Sequence, residues 1–366
     1  MRKEQYPIDE NLKPLFPTLL GKEMPYHEIF VDNENGQVLK QEKPLRIGCV
    51  LSGGQAAGGH NVIMGLFDMV KSLHPESKLF GFLAGPHGIF TNNYMEIDAD
   101  YMKLYRNMGG FDMIRSGRHK IETPEQFAAS LKNAQELELD GLVVIGGDDS
   151  NTNACLLAEY FAKNDAKCRV IGCPKTIDGD LQNEHIPVSF GFDTATKVYS
   201  EAIGNLCSDA VSSKNYYYFI RLMGRSASHI ALECALKTRI NLVLVGEEVK
   251  EKNMTLSQIT KMLADIIVKR SDLDKNYGVF LVPEGLIEFI PEMAVLISEI
   301  NEILSKEVQG DIREHVGKNL TITSQALFNF LPWSISDQLL LDRDPHGNVQ
   351  VSKIETEKLL ILLLKQ

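Results

Sequence analysis

The sequence predicts an α/β protein built mainly on parallel sheet. Short apolar, β-rich runs alternate with helical stretches of about ten residues or more. The unusual polar and Gly-rich segments each fall just after a strand, on the edge where open α/β sheets bind ligands. The composition, 44% hydrophobic and 24% charged, supplies an ordinary globular core. At ~150 residues per domain, 366 residues make two or three domains.

The elements follow in order. Residues 1–44 are rich in Pro, Asn, Glu and Lys without a sustained period, and read as an extension packed against a domain. From residue 45 the pattern changes. A buried strand at 46–51 leads through a Gly-rich loop to a helix at 61–73. A strand at 78–84, a helix at 124–138, a strand at 141–147, a helix at 151–163 and a strand at 168–173 follow. A long helix at 193–210, a strand at 216–222, a helix at 226–238, a strand at 241–245, a helix at 255–270 and a strand at 277–282 complete the series. The alternation places the strands in parallel, covered on both faces.

Charge and composition exclude several classes. A net charge of −11 opposes broad binding to nucleic acid or an anionic membrane, and leaves room for a local basic pocket. The start, MRKEQYPIDENLKP, lacks the apolar core of a signal peptide. The longest apolar run, Leu359–Leu364, falls far short of the ~20 residues that span a bilayer. Six Cys form no C-x-x-C pair, which suits a reduced, cytoplasmic protein.

Five segments carry chemistry. Ser52 to Gly59 joins strand to helix, and Gly53 and Gly54 permit close backbone approach to a phosphate at a helix N-terminus. A tight turn without a ligand is the alternative, and the loop is neither a Walker A loop nor a G-x-G-x-x-G fingerprint. Gly146-Gly147-Asp148-Asp149 pairs two glycines with a carboxylate that can reach a phosphate-bound Mg²⁺, although an Asx turn capping a helix suits it too. Adjacent carboxylates after a buried strand call for a cation or donors nearby. In Lys175-Thr176-Ile177-Asp178-Gly179-Asp180, one carboxylate can act as base and the Lys can neutralise transferring phosphate; a solvated loop is the plain alternative. Met223-Gly224-Arg225 and Pro283-Glu284-Gly285 add an Arg able to clamp phosphate and a Glu able to accept from sugar hydroxyls, each weak by itself. His229 reads as structural.

Together these segments resemble the phosphofructokinase superfamily, and within it the long, plant- and spirochaete-like pyrophosphate-dependent group. The resemblance runs from about Arg46 to Glu284 and resumes at QVSKIETEKLL, through LSGGQAAGGHNV, GFLAGPHGI, KIETPEQF, VIGGDDSNTNA, PKTIDGDL, YYYFIRLMGRSASHIALE and LVPEGL. It implies two Rossmann-like three-layer domains with mainly parallel sheets. Residues 45–190 would bind diphosphate and Mg²⁺, 191–290 would form part of the fructose 6-phosphate domain, and 291–366 a mostly helical insertion.

By the same resemblance Asp178 is the base for the sugar 1-hydroxyl and Asp148 the Mg²⁺-associated carboxylate. Gly53, Gly54 and Arg118 contact pyrophosphate; Thr176 and Asp180 flank the transferring group; Met223, Gly224, Arg225 and Glu284 contact fructose 6-phosphate. Tyr216 stands where ATP-using relatives place an Arg from a neighbouring subunit. Asp149 and Lys175 replace glycines of the ATP-dependent relatives, which implies exclusion of nucleotide by the first and added charge at the shorter donor by the second. The implied reaction is reversible, Mg²⁺-dependent transfer from pyrophosphate to fructose 6-phosphate, in a dimer, a tetramer or an assembly with a related subunit. An ATP-dependent enzyme, a Gly-Gly-Asp kinase of the NAD or lipid type, and a non-catalytic regulatory subunit are the alternatives.

Beyond Glu284, Pro332 interrupts a helical pattern and Asp344 to Asn348 reads as a turn. The family's return segment, resembling G-Y-E-G-R, is not found before LLILLLKQ. The second domain is therefore expected to be unfinished, with a terminal helix that leaves apolar residues exposed or docks them into the core.

Overall fold

A computed structural model describes residues 2–4, 10–19, 24–26, 42–182, 186–306, 311–343 and 348–365. Two short strands, β1 (Arg2–Glu4) and β2 (Met24–Tyr26), pair antiparallel. The chain divides into two compact units, one of residues 1–176 and 181–191, the other of 177–180 and 192–366.

The first unit is built on the strand run that begins at residue 46. Its strands are β3 (Arg46–Ser52), β4 (Lys78–Phe82), β5 (Tyr94–Ile97), β6 (Ser116–Gly117), β7 (Gly141–Gly146), β8 (Arg169–Thr176) and β9 (Phe190–Gly191). Its helices are α1 (Gly59–Leu73), α2 (His87–Phe90), α3 (Ala99–Tyr105), α4 (Pro124–Glu136) and α5 (Asp148–Lys163). The sheet order is β5-β4-β3-β7-β8-β9, with β6 beside β3 and β5 the antiparallel member. Every β7 residue is buried, as a strand covered on both faces requires. One face packs Val50, Phe82, Leu142 and Val144 against Leu157 and Phe161 of α5; the other packs Leu51, Leu79 and Ile145 against Ile63 and Phe67 of α1. The chain steps from β3 to β4 on one side and returns to β7 on the other, so β3/β7 is the topological switch.

Several boundaries differ from the sequence reading. The strand from 78 stops at Phe82, because Ala84 turns the chain with φ 61. α5 starts at Asp148 rather than 151, with Gly147 as N-cap. β8 runs on through Pro174 to Thr176 because β9 pairs with Lys175 and Thr176, so those two residues lie in a strand and not in a loop. Of the extension, the amides of Thr18 and Leu19 donate to the two Glu159 carboxylate oxygens on α5, at 2.8 and 2.9 Å.

The second unit contains α6 (Phe192–Ser213), β10 (Tyr217–Leu222), α7 (His229–Thr238), β11 (Leu242–Val243), α8 (Gly246–Glu251), α9 (Leu256–Ser271) and β12 (Gly278–Pro283). It continues with α10 (Leu286–Phe289), α11 (Pro291–Leu304), α12 (Ile312–Asn319), α13 (Ile322–Phe330), α14 (Trp333–Leu341) and α15 (Thr356–Leu364). Its parallel sheet has the order β10-β12-β11. The strand expected at 241–245 is reduced to two residues, and α7 begins at His229, later than 226. Pro332 separates α13 from α14 as its pattern implied.

The sequence left open whether the last helix exposes its apolar residues. It docks them: Leu359 and Leu360 are fully buried in one core with Phe280, Leu263 and Met293, and Leu363 and Leu364 pack at its edge. Residues of α11 to α15 thus share a core with β12 and α9. Of the turn expected at 344–348, residues 344–347 lie outside the described residues.

Candidate active-site residues

The Gly-rich loop and the GGDD turn leave the carboxyl ends of β3 and β7, the neighbouring strands at the switch point. Gly53 adopts φ 85, a conformation that favours glycine, and its amide donates to the Gly117 carbonyl at 2.9 Å. Ser116 Oγ donates to the Gly53 carbonyl at 2.7 Å, which pins the loop to β6 from the other direction. Ser52 and Ser150 hydroxyls meet at 2.7 Å and join the loop to α5. α1 has Gly58 as N-cap, with no side-chain cap and no acid in its first turn. The partial positive charge of such a helix N-terminus suits an anion.

Lys175 points back into this loop. The side chain is buried, and its Nζ donates to the Gly54 carbonyl at 2.6 Å. Its charge also lies 5.9 Å from the Phe111 ring centroid, within cation–π range. Arg118, exposed, brings Nη2 to 3.6 Å from where a Gly54 Cβ would stand. Gly53, Gly54, Arg118 and Lys175 are therefore brought together in the first unit.

Asp148 and Asp149 are both in the first turn of α5 and both exposed. The helix N-terminus is the position that best tolerates two adjacent carboxylates. Asn151 holds the preceding turn, donating through Nδ2 to the carbonyls of Gly146 and Gly147 at 2.7 and 2.8 Å. Asp149 accepts an ion pair from Lys120 at 3.1 Å. The sequence reading missed Lys120. The signal available was a cation inside KIETPEQF, three residues before the Thr123 cap of α4, but its partner lies 29 residues away in sequence.

The remaining candidates belong to the second unit. Ile177–Asp180 groups there, although Thr176 stays in the first, so the PKTIDGD segment passes from one unit to the other. Asp178 is half-buried. Ser226 Oγ donates to Asp180 Oδ2 at 2.7 Å, while Asp180 Oδ1 is buried without a hydrogen-bond partner among the described residues.

LMGR and VPEG leave the adjacent strands β10 and β12. Gly224 takes φ 123, and its amide donates to Glu284 Oε2 at 3.3 Å. The Gly285 amide donates to the Gly224 carbonyl at 3.0 Å, so the two turns are laced together. Glu284 is buried, and burial pushes its carboxyl above the ordinary range; the Gly224 N–H opposes this, Asp178 adds to it, and Arg221 and Arg225 oppose it. Burial likewise raises Glu288, against the pull of Arg225. Met223 and Arg225 are exposed, and Met223 Sδ accepts from Tyr199 Oη at 3.3 Å. Tyr216 is 58% exposed, with its ring centroid 6.4 Å from that of Tyr218. His229 opens α7. Ser228 and Glu247 secure that opening: the Ser228 amide donates to Glu247 Oε1 at 2.9 Å and Ser228 Oγ accepts from the Gly246 amide at 2.8 Å.

A Gly-rich loop, a helix N-terminus without a side-chain cap and a buried Lys at a topological switch are the features of an α/β protein suited to phosphate. The Phosphofructokinase family model matches residues 46–325, and the chain belongs to that family. It is 55% identical over 358 residues to pyrophosphate–fructose 6-phosphate 1-phosphotransferase subunit beta 2 of Arabidopsis thaliana, across 97% of this chain and 62% of that protein. It is 55% identical over 340 residues to pyrophosphate–fructose 6-phosphate 1-phosphotransferase of Treponema pallidum, across 90% of this chain and 59% of that protein. The fold is also that of the pyrophosphate-dependent phosphofructokinase from Nitrosospira multiformis, with a TM-score of 0.58 and 17% identity over 66% of this chain and 60% of that one. The chain thus spans about three-fifths of the length of the two curated relatives.

Proposed function

We propose that the chain acts in reversible phosphoryl transfer between pyrophosphate and the 1-hydroxyl of fructose 6-phosphate, giving fructose 1,6-bisphosphate and phosphate. The observation that carries the choice of donor is Lys175, buried with its ammonium on the Gly54 carbonyl, together with Asp149 at the start of α5. The names of both curated relatives support the same substrates.

In this reading the first unit handles the donor. The Gly53–Gly54 backbone, Arg118 and Lys175 hold its phosphates, and fixed positive charge offsets the charge that develops on the transferring group. Asp149 sets a negative charge against the longer polyphosphate of a nucleotide. The second unit handles the sugar phosphate: Arg225 pairs its phosphate, Glu284 accepts from sugar hydroxyls, and Met223 and Gly224 shape the contact. Asp178 takes the proton from the 1-hydroxyl as oxygen attacks phosphorus. Thr176 and Asp180 orient the group in transit, and Tyr216 is assigned to a contact across a subunit boundary.

Magnesium fits Asp148. An exposed carboxylate at the start of α5, beside a phosphate-binding turn, is a hard oxygen donor, and Mg²⁺ is commonly held by one or two carboxylates plus substrate phosphates. Among the described residues no group of three His, Cys, Asp or Glu side chains is placed to hold a metal by itself. When bound, the ion would neutralise phosphate charge. We assign the protein to the cytoplasm and to a homo-oligomer or an assembly with a related subunit, without nucleic acid or membrane partners. No described helix is long and apolar enough to cross a membrane.

A coupled assay with Mg²⁺ and fructose 6-phosphate, offered pyrophosphate or ATP separately, tests the reading. Turnover with pyrophosphate and none with ATP is expected. Turnover with ATP and none with pyrophosphate would reverse the donor assignment.

A further inference from the structure

We propose that Lys120 is a specificity-determining positioning residue for the donor: it fixes and offsets the Asp149 carboxylate, so that the acid set against nucleotide does not also repel pyrophosphate. The inference rests on the donor reading above and assigns a second residue to the discrimination.

The geometry begins with the ion pair, Lys120 Nζ to Asp149 Oδ1 at 3.1 Å, with the Lys side chain 30% exposed and the Asp side chain 67%. Most ion pairs this exposed contribute little, because two long side chains must be ordered in water. Here the segment that carries the Lys is already ordered. The Ile121 amide donates to Asn153 Oδ1 at 3.1 Å, and Asn153 Nδ2 donates back to the Ile121 carbonyl at 2.7 Å. Asn153 lies one turn beyond Asp149 on α5, so the residue after Lys120 is bolted to the helix that bears its partner. On the other side, the Gly117 carbonyl holds the Gly53 amide at 2.9 Å and Ser116 Oγ holds the Gly53 carbonyl at 2.7 Å. The strap 116–121 is thus anchored to the donor loop at one end and to α5 at the other. It carries Arg118 toward Gly54 and Lys120 toward Asp149.

Asp148 and Asp149 stand side by side at the start of α5, and the proposed donor is itself a polyanion. An unmatched Asp149 would act against every phosphate donor, not only a nucleotide. An ammonium held on Oδ1 leaves the carboxylate in place while reducing its repulsion of the shorter donor. Lys120 therefore acts through Asp149 and not through the reacting atoms.

The test is a mutant cycle on the full chain. Michaelis constants for pyrophosphate and for fructose 6-phosphate are measured in wild type, Lys120→Met, Lys120→Arg, Asp149→Asn and Lys120→Met/Asp149→Asn. Lys120→Met is expected to raise the KM for pyrophosphate about fivefold and to leave that for fructose 6-phosphate unchanged. Lys120→Arg keeps the cation and should stay near wild type. The double variant should recover the pyrophosphate KM of Asp149→Asn, since no charge is left to offset. A Lys120→Met loss shared equally by both substrates, or a double variant that carries the full Lys120→Met loss, overturns the inference. A wild-type chain that neither turns over pyrophosphate nor binds it with Mg²⁺ by calorimetry overturns instead the donor reading beneath it.

Discussion

The two units build their candidate sites from different materials. In the first, the candidate residues are held by side chains that reach across long stretches of sequence: Lys175 bonds a carbonyl 121 residues away, and Lys120 a carboxylate 29 residues away. Cations and backbone amides dominate. In the second, the candidates sit on two adjacent strand-end turns, laced by the Gly224–Glu284 and Gly285–Gly224 bonds, and the buried group is an acid whose carboxyl burial raises. A donor cradle needs fixed positive charge and gains by rigid assembly from distant parts. A sugar site, as proposed for the second unit, would need acceptors, which a carboxylate held among local turns can supply.

Substitutions can break that contrast. The largest effect is expected at Asp178: Asp178→Asn removes the proposed base and should lower turnover about 10²–10⁴-fold without moving the thermal midpoint. An undiminished rate would remove Asp178 from the chemistry. Lys175→Met takes charge from the donor side and leaves the Gly54 carbonyl without that donor. It should cost about 10²-fold in turnover and about 1.5–3 kcal/mol of stability, read by the assay and by denaturant melts. Gly224→Ala tests the local construction of the second unit. A Cβ there would stand 2.7 Å from the Ala227 carbonyl at a φ of 123. A loss of about 1–3 kcal/mol, with a higher KM for fructose 6-phosphate and an unchanged one for pyrophosphate, is expected.

Glu284→Gln should have the smallest effect, and its sign is informative. A carboxyl that titrates higher in the folded chain contributes stability that is complete below the ordinary carboxylate range and lost as pH rises through the folded value. Gln keeps an acceptor for the Gly224 amide but carries no charge. The variant should melt above wild type near about pH 7, and the gap should close toward about pH 4. Equal melting at neutral pH would mean that burial does not burden this acid.

Much of this was legible in the linear sequence. Apolar β-rich runs located β3, β7 and β12, because strands buried on both faces read as near-continuous apolar runs, and the same kind of run located β10, which is only partly buried. Family motifs then supplied the candidate site residues. What stayed hidden depended on partners far along the chain. β8 continues past Pro174 only because β9 receives it. α5 starts at Asp148 because backbone carbonyls of the GGDD turn are taken by Asn151. The Lys120–Asp149 pair follows from the strap's anchoring, which no local pattern encodes. The docking of α15 needed the groove left by β10, β12 and α9.

That last contact has a consequence for how the polypeptide matures. Arg221 on β10 donates to the Ile354 carbonyl, 133 residues later, and pairs with Glu357 of α15 at 3.3 Å. Loops of that span close slowly, because chain entropy must be spent before the contact gives anything back. While the ribosome is still adding residues after 290, β10 and β12 lack the leucines that cap their core. The first unit draws its sheet and both its packed faces from residues up to 191 and can condense during that interval. Synthesis should therefore deliver the first unit folded while the core around β10 and β12 stays open to chaperones at least until α15 emerges.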